Sequence, residues 1–150
     1  MSKRFLVTTA IKETIPQNEP ILFLGEWCKS FVNTNKFDKM DTKVLPYHWD
    51  DRSKLQKDYS YLTDFYEKLL IELTHQLNQI HGTDHEVKYW RIFIGPWLGY
   101  FTQIIFDKWS SIQFAIKKFD LIGTYVQSFK EDLIVPSTMR HFTGLMRGEE

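Results

Sequence analysis

Ile21-Leu22-Phe23-Leu24-Gly25 decides the fold class. Four apolar residues in succession leave no polar face, so a strand formed here is buried on both sides, as in a parallel sheet. Upstream, Ile15-Pro16-Gln17-Asn18-Glu19-Pro20 reads as a loop, because two prolines among polar residues break any ladder. Before it, Phe5-Leu6-Val7-Thr8-Thr9 is a β-prone run. Downstream, a short helical stretch is expected across 29–40, and Lys43-Val44-Leu45 gives a third strand ended by Pro46. Leu121-Ile122-Gly123-Thr124-Tyr125-Val126 offers a fourth, and Leu133-Ile134-Val135 a further short run ended by Pro136.

Between these strands the chain reads as helix. Leu55, Tyr59, Leu62, Tyr66, Leu69, Leu73, Leu77 and Ile80 recur at steps of three and four, which draws one stripe down a long amphipathic helix. Asp50 or Asp51 can cap its start, and Gly82 suits a left-handed residue at its end. Thr83-Asp84-His85-Glu86 has capping-box spacing, so a second helix is expected to begin there. Gly95-Pro96 is expected to kink or restart it. The segment after Trp97 is apolar nearly all round as far as Phe106, which predicts deep burial. The expected fold is therefore α/β: a small, mainly parallel sheet with long amphipathic and buried helices, one domain over 1–138, and a frayed or truncated tail over 139–150.

The composition agrees with a globular domain, since 43% of the 150 residues are hydrophobic and 25% charged. Lys plus Arg equals Asp plus Glu at 19 each, with no basic stripe, which argues against nucleic acid as a partner. Zero net charge gives little colloidal repulsion, so self-association is open. The lone cysteine, Cys28, forms no internal disulfide and suits a reducing, cytoplasmic setting. Residues 92–106 carry no charge, yet they fall short of the ~20 residues that span a bilayer, and Arg91 and Asp107 flank them. Membrane association is not expected.

Ligands in open α/β sheets bind outside the carboxyl ends of the strands. Two polar clusters fall at such ends: Gly25-Glu26-Trp27-Cys28, and Tyr47-His48-Trp49-Asp50-Asp51-Arg52. Glu26, His48, Asp50 and Asp51 are the catalytic candidates, since a carboxylate or imidazole beside a hydroxyl acts as general base. Trp27 and Trp49 offer faces for sugar or base rings, and Arg52 and Arg91 offer guanidinium forks for an anion. Structural roles compete at each position. Asp50 and Asp51 are also good helix caps, Glu26 also a partner for a nearby cation or a helix start, His48 also a hydrogen-bonded core histidine, the tryptophans also packing residues, and Arg91 also a salt-bridge partner. Cys28 is either a thiol activated at a helix start or, the better reading, a buried inert one. His81 and His85 are four apart, but Gly82 between them argues against a metal site. No metal and no cofactor is expected. There is no G-x-G-x-x-G, Walker-type loop, G-x-S-x-G or C-x-x-C.

Leu6-Val7-Thr8-Thr9-Ala10, Phe23-Leu24-Gly25-Glu26-Trp27-Cys28, Pro46-Tyr47-His48-Trp49-Asp50-Asp51-Arg52 and Tyr89-Trp90-Arg91-Ile92-Phe93-Ile94-Gly95-Pro96-Trp97-Leu98 occur together and in this order. The set resembles the N-terminal region of a family of bacterial transferases linked to surface-polysaccharide (O-antigen-like) synthesis, over roughly the first three quarters of the chain, fading after about Phe119. Members of that family are considerably longer. The resemblance implies one half of a two-domain glycosyltransferase-like fold, here the acceptor side, inactive alone, with the donor nucleotide held by a C-terminal half. A nucleotide sugar or glycan is the implied substrate. The alternative is a non-catalytic scaffold or interaction module whose apolar surface pairs with such a missing half or with itself.

Overall fold

The computed structural model describes residues 3–30, 37 and 40–128. It is an α/β fold in which four short strands form one all-parallel sheet: β1 (Arg4–Val7), β2 (Ile21–Phe23), β3 (Thr42–Val44) and β4 (Leu121–Gly123). Their order across the sheet is β3-β2-β1-β4. The two central strands are buried at every residue, as the unbroken apolar run of β2 requires, whereas the edge strands β3 and β4 are half-exposed. The core gathers Val7, Ile21, Leu22, Phe23 and Cys28 with Ala115 from the covering helix. The helical stretch expected across 29–40 falls mostly outside the described residues, and Leu133-Ile134-Val135 and the tail 139–150 lie wholly outside them.

Arg4 is the one charged side chain inside β1. It is 4% exposed, and its guanidinium donates to the Ile21 carbonyl (3.2 Å), to the Asp41 carbonyl (3.2 Å) and to both Asp41 carboxylate oxygens (2.8 Å each). It thereby ties the entrances of three adjacent strands together.

Helix α1 (Arg52–His81) follows β3, and helix α2 (Val87–Lys118) leads back to β4. Asp51 caps α1, its carboxylate accepting from the Ser53 and Lys54 amides at 2.9 and 3.1 Å. Gly82 ends the helix in the left-handed region, φ 62° and ψ 36°. Gly82→Ala is expected to cost about 1 kcal/mol, the penalty of a Cβ in that conformation, and to lower Tm by about 3 °C. A melt followed by circular dichroism checks this, and an unchanged midpoint would refute it.

Two expectations for α2 are corrected. The Thr83-x-x-Glu86 spacing does not form a capping box. α2 begins at Val87 with no side-chain cap, because Asn78 takes the groups involved: its Oδ1 accepts from the Thr83 hydroxyl, the His85 amide and the Trp90 indole, and its Nδ2 donates to the His85 carbonyl. Gly95-Pro96 does not divide the helix either. Pro96 sits inside one continuous α2.

The predicted deep burial after Trp97 is also overturned. Trp97 is 59% exposed and Tyr100 72%, and Phe93, Ile104, Ile105 and Trp109 are likewise exposed. The reason is geometric. Strands of three or four residues are only about 10–13 Å long, whereas a 30-residue helix is about 45 Å. Only the last third of α2 can lie on the sheet. The rest runs beyond its edge and packs against α1 and, at Phe106 and Asp107, against the His48–Asp50 turn, so one stripe is covered and the opposite one is left bare. No helix among the described residues is long and apolar enough to cross a membrane.

Candidate functional site

Parallel pairing delivers the carboxyl ends of β2 and β3 to one edge, with Phe23 level with Val44. Each strand runs into a 3₁₀ turn there, Glu26–Lys29 after β2 and His48–Asp50 after β3. The two sequence clusters therefore share a rim. The strand order also reverses between β1 and β4, so the switch point where such sheets open a crevice lies at the ends of these strands, beside Thr8 and Thr9.

His48 is the centre of the rim. Its side chain is 3% exposed, and Nε2 lies 3.1 Å from Asp107 Oδ1 of α2. Nδ1 is the only buried side-chain polar atom among the described residues that has no partner. With Asp107 accepting from Nε2–H, the lone pair sits on Nδ1, the arrangement in which a carboxylate fixes the tautomer of a basic imidazole. Tyr47 flanks the pair, its ring 5.2 Å from the imidazole. Loss of solvent around its hydroxyl, reinforced by the Asp107 and Asp50 carboxylates, pushes its pKa up to about 12. Tyr47 therefore stays neutral across the physiological range and can donate a proton to a hydrogen bond.

Lys108, next along α2, spreads over Trp27 with Nζ 3.7 Å from the ring centre and 3.9 Å from Asp107 Oδ2. Gly25 makes room for that indole, since a Cβ there would stand 2.5 Å from Trp27 Nε1. On the other flank, the Trp49 indole donates to Asp58 Oδ2 at 2.9 Å, and Lys54 pairs with the same carboxylate. Desolvation alone would raise the Asp58 pKa, but the bonds from Lys54 and Trp49 outweigh it and hold it below 3.8. A depressed carboxylate contributes stability that is present above its unfolded pKa and is lost as pH falls through its folded value. Trp49→Phe should therefore lessen the acid-side loss of stability below about pH 4. Urea melts at pH 3 and pH 6 would show this, and an unaltered pH dependence would count against it.

The remaining candidates divide. Glu26 pairs with Lys29 at 3.0 Å on the exposed lip of the rim. Asp50 is exposed beside His48, Asp51 is engaged as the cap of α1, and Arg52 is exposed on the first turn. Arg91 is not at the rim. It stands sixteen residues before Asp107, about 24 Å along α2, and makes a bidentate pair with Glu67 of α1 at 2.7 and 2.6 Å. That pair raises the Arg91 pKa and lowers that of Glu67. Cys28 is free and buried, with Sγ 3.5 Å from the Val7 carbonyl, and desolvation pushes its pKa up, as an inert thiol requires. Among the described residues no three His, Cys, Asp or Glu side chains gather to hold a metal ion.

Asp107, Lys108 and Asp58 were not singled out as site residues from sequence. They lie 59, 60 and 10 positions from His48, on helices whose docking no local spacing encodes. The one available signal was that Asp107 ends the uncharged segment 92–106.

A family model described as LIC12162 family transferase matches residues 4–150, running past Phe119, where the resemblance in sequence was expected to fade. Neither a curated protein nor a solved structure matches the chain.

Proposed function

Since the chain belongs to the LIC12162 family of transferases, we propose that its rim serves the acceptor side of a glycosyl transfer, with His48 as general base. The observation that carries this reading is the buried His48–Asp107 pair, whose Nδ1 has no partner. An acceptor hydroxyl gives its proton to Nδ1 as its oxygen bonds to the anomeric carbon of the donor. The bond from that carbon to the donor phosphate breaks, and its electron pair leaves with the phosphate. Asp107 stabilises the imidazolium that forms. Trp27 and Trp49 present faces for the sugar rings, Lys108 and Arg52 attract anionic groups, and Glu26 and Asp50 face solvent where acceptor hydroxyls arrive. Asp51 is already occupied as a cap and contributes by fixing the start of α1. Nδ1 is shielded from solvent, so acceptor entry requires one of the rings packed beside the imidazole, Tyr47 or Trp49, to move. Synthesis of bacterial surface polysaccharide in the cytoplasm is the setting in which we place this reaction, with the donor nucleotide held outside the rim, since no phosphate loop is present in the sequence.

The experiment is a thermal melt with nucleotides, nucleotide sugars and simple glycans. A ligand of the folded state at a hundredfold excess over its Kd stabilises by about 2.7 kcal/mol. A shift from one sugar class that disappears in His48→Ala is the expected result. No shift from any sugar class, or the same shift in the variant, would sink the proposal. The bare apolar stripe of α2 favours a second, non-catalytic reading, that of a pairing module.

A further inference from the structure

Beyond the sheet, α1 and α2 form an antiparallel hairpin with only one stripe of each helix covered. α1 buries Leu62, Leu70 and Thr74, and α2 answers with Trp90, Gly95, Leu98 and Thr102. Two helices alone do not make a core, because a layer with a second apolar face needs a further layer on it. The outer face of this hairpin has a ridge and a groove. The ridge is Trp97, Phe101 and Ile104, with the rings of Trp97 and Phe101 stacked at 4.9 Å. The groove, about 400 Å³, lies between the helices and is walled by Tyr61 and Phe65 on one side and Ile105 and Trp109 on the other.

We propose that this face pairs with the same face of a second copy of the chain, the two hairpins closing a four-helix bundle about a twofold axis. Three observations select that occupant. First, the area fits. At about 200 Å² per large side chain, the exposed parts of the ridge and of the groove walls amount to roughly 700 Å², close to what one partner of a stable complex contributes. Second, the chemistry is that of an interface centre: aromatic side chains with no charged residue anywhere in 92–106. A helix that lies on a membrane carries lysines and arginines along its polar flank, and this segment has none. Third, the chain has zero formal net charge, so two copies approach without repulsion. A ridge beside a groove on one face is self-complementary under a twofold operation, which is the commonest symmetry of soluble oligomers. This inference does not rest on the glycosyl-transfer reading.

The test is sedimentation equilibrium of the full chain over about 1–100 μM, at and above the weak end of the μM-to-pM range of interfaces of this size. A particle of twice the 18.0 kDa chain mass is expected. Phe101→Asp and Trp97→Asp should each raise the dimer dissociation constant at least a hundredfold, with helix content by circular dichroism retained. Lys88→Glu, outside the ridge, should leave the dimer intact. A chain that stays at 18.0 kDa at every concentration overturns the proposal. So does an open-ended polymer, a dimer indifferent to both ridge variants, or a monomer that floats with anionic liposomes.

Discussion

His48→Gln is expected to lower the transfer rate by about 10²–10⁴-fold, the contribution of a positioned general base. Glutamine fills much of the same space and keeps a hydrogen bond to Asp107, so the loss reports the missing base rather than a collapsed rim. Asp107→Asn should follow within tenfold of it, because an amide no longer fixes the proton on Nε2 and no longer stabilises the imidazolium. Asp107 acts through His48, so its role is read from kcat and KM taken separately. Asp107→Asn should lower kcat while leaving KM within a few-fold, because the carboxylate orients the base without touching the acceptor. Asp107→Glu should recover part of the rate. Transfer by a full-length member of the family carrying the matching substitutions, with the sugar class that raises the melting midpoint of this chain, is the assay. An Asp107→Asn protein with the kcat of wild type would reduce the pair to a packing contact.

Asp41→Ala is expected to destabilise the fold by about 3 kcal/mol, because removing one partner leaves a buried charge uncompensated. The Arg4 side chain is 5% exposed and that of Asp41 53%, so the arginine cannot turn to water while the carboxylate can. The asymmetry makes a sharper prediction. Arg4→Met, which removes the charge and keeps the length, should cost less than Asp41→Ala, even though two carbonyls lose a donor. Urea denaturation of the three proteins measures both. If Arg4→Met proved the more damaging, the guanidinium would owe its role to the Ile21 and Asp41 carbonyls rather than to the ion pair.

What could be read from sequence follows the range of the forces involved. The double burial of β2 is written in four consecutive residues, and the ends of α1 in the pair Asp50-Asp51, of which Asp51 is the cap, and in Gly82, so these were legible. The shared rim was legible too, given parallel neighbours. The fate of α2 was not. A helix apolar on all sides encodes a demand for cover but not whether the sheet is long enough to supply it, and here it is not. Thr83 illustrates the same limit at short range, since its preference for an amide three residues on lost to an asparagine side chain five residues back. The His48–Asp107 contact joins two residues 59 apart, and no local pattern announces it.

α2 is also a ruler. Its last third is held on the sheet and ends at Lys118, and Asp107 lies eleven residues up from that end. Eleven residues are close to three full turns, so the two positions stand on nearly the same side of the rod. One residue gained or lost between them would turn Asp107 by about 100° about the axis and carry its carboxylate away from His48.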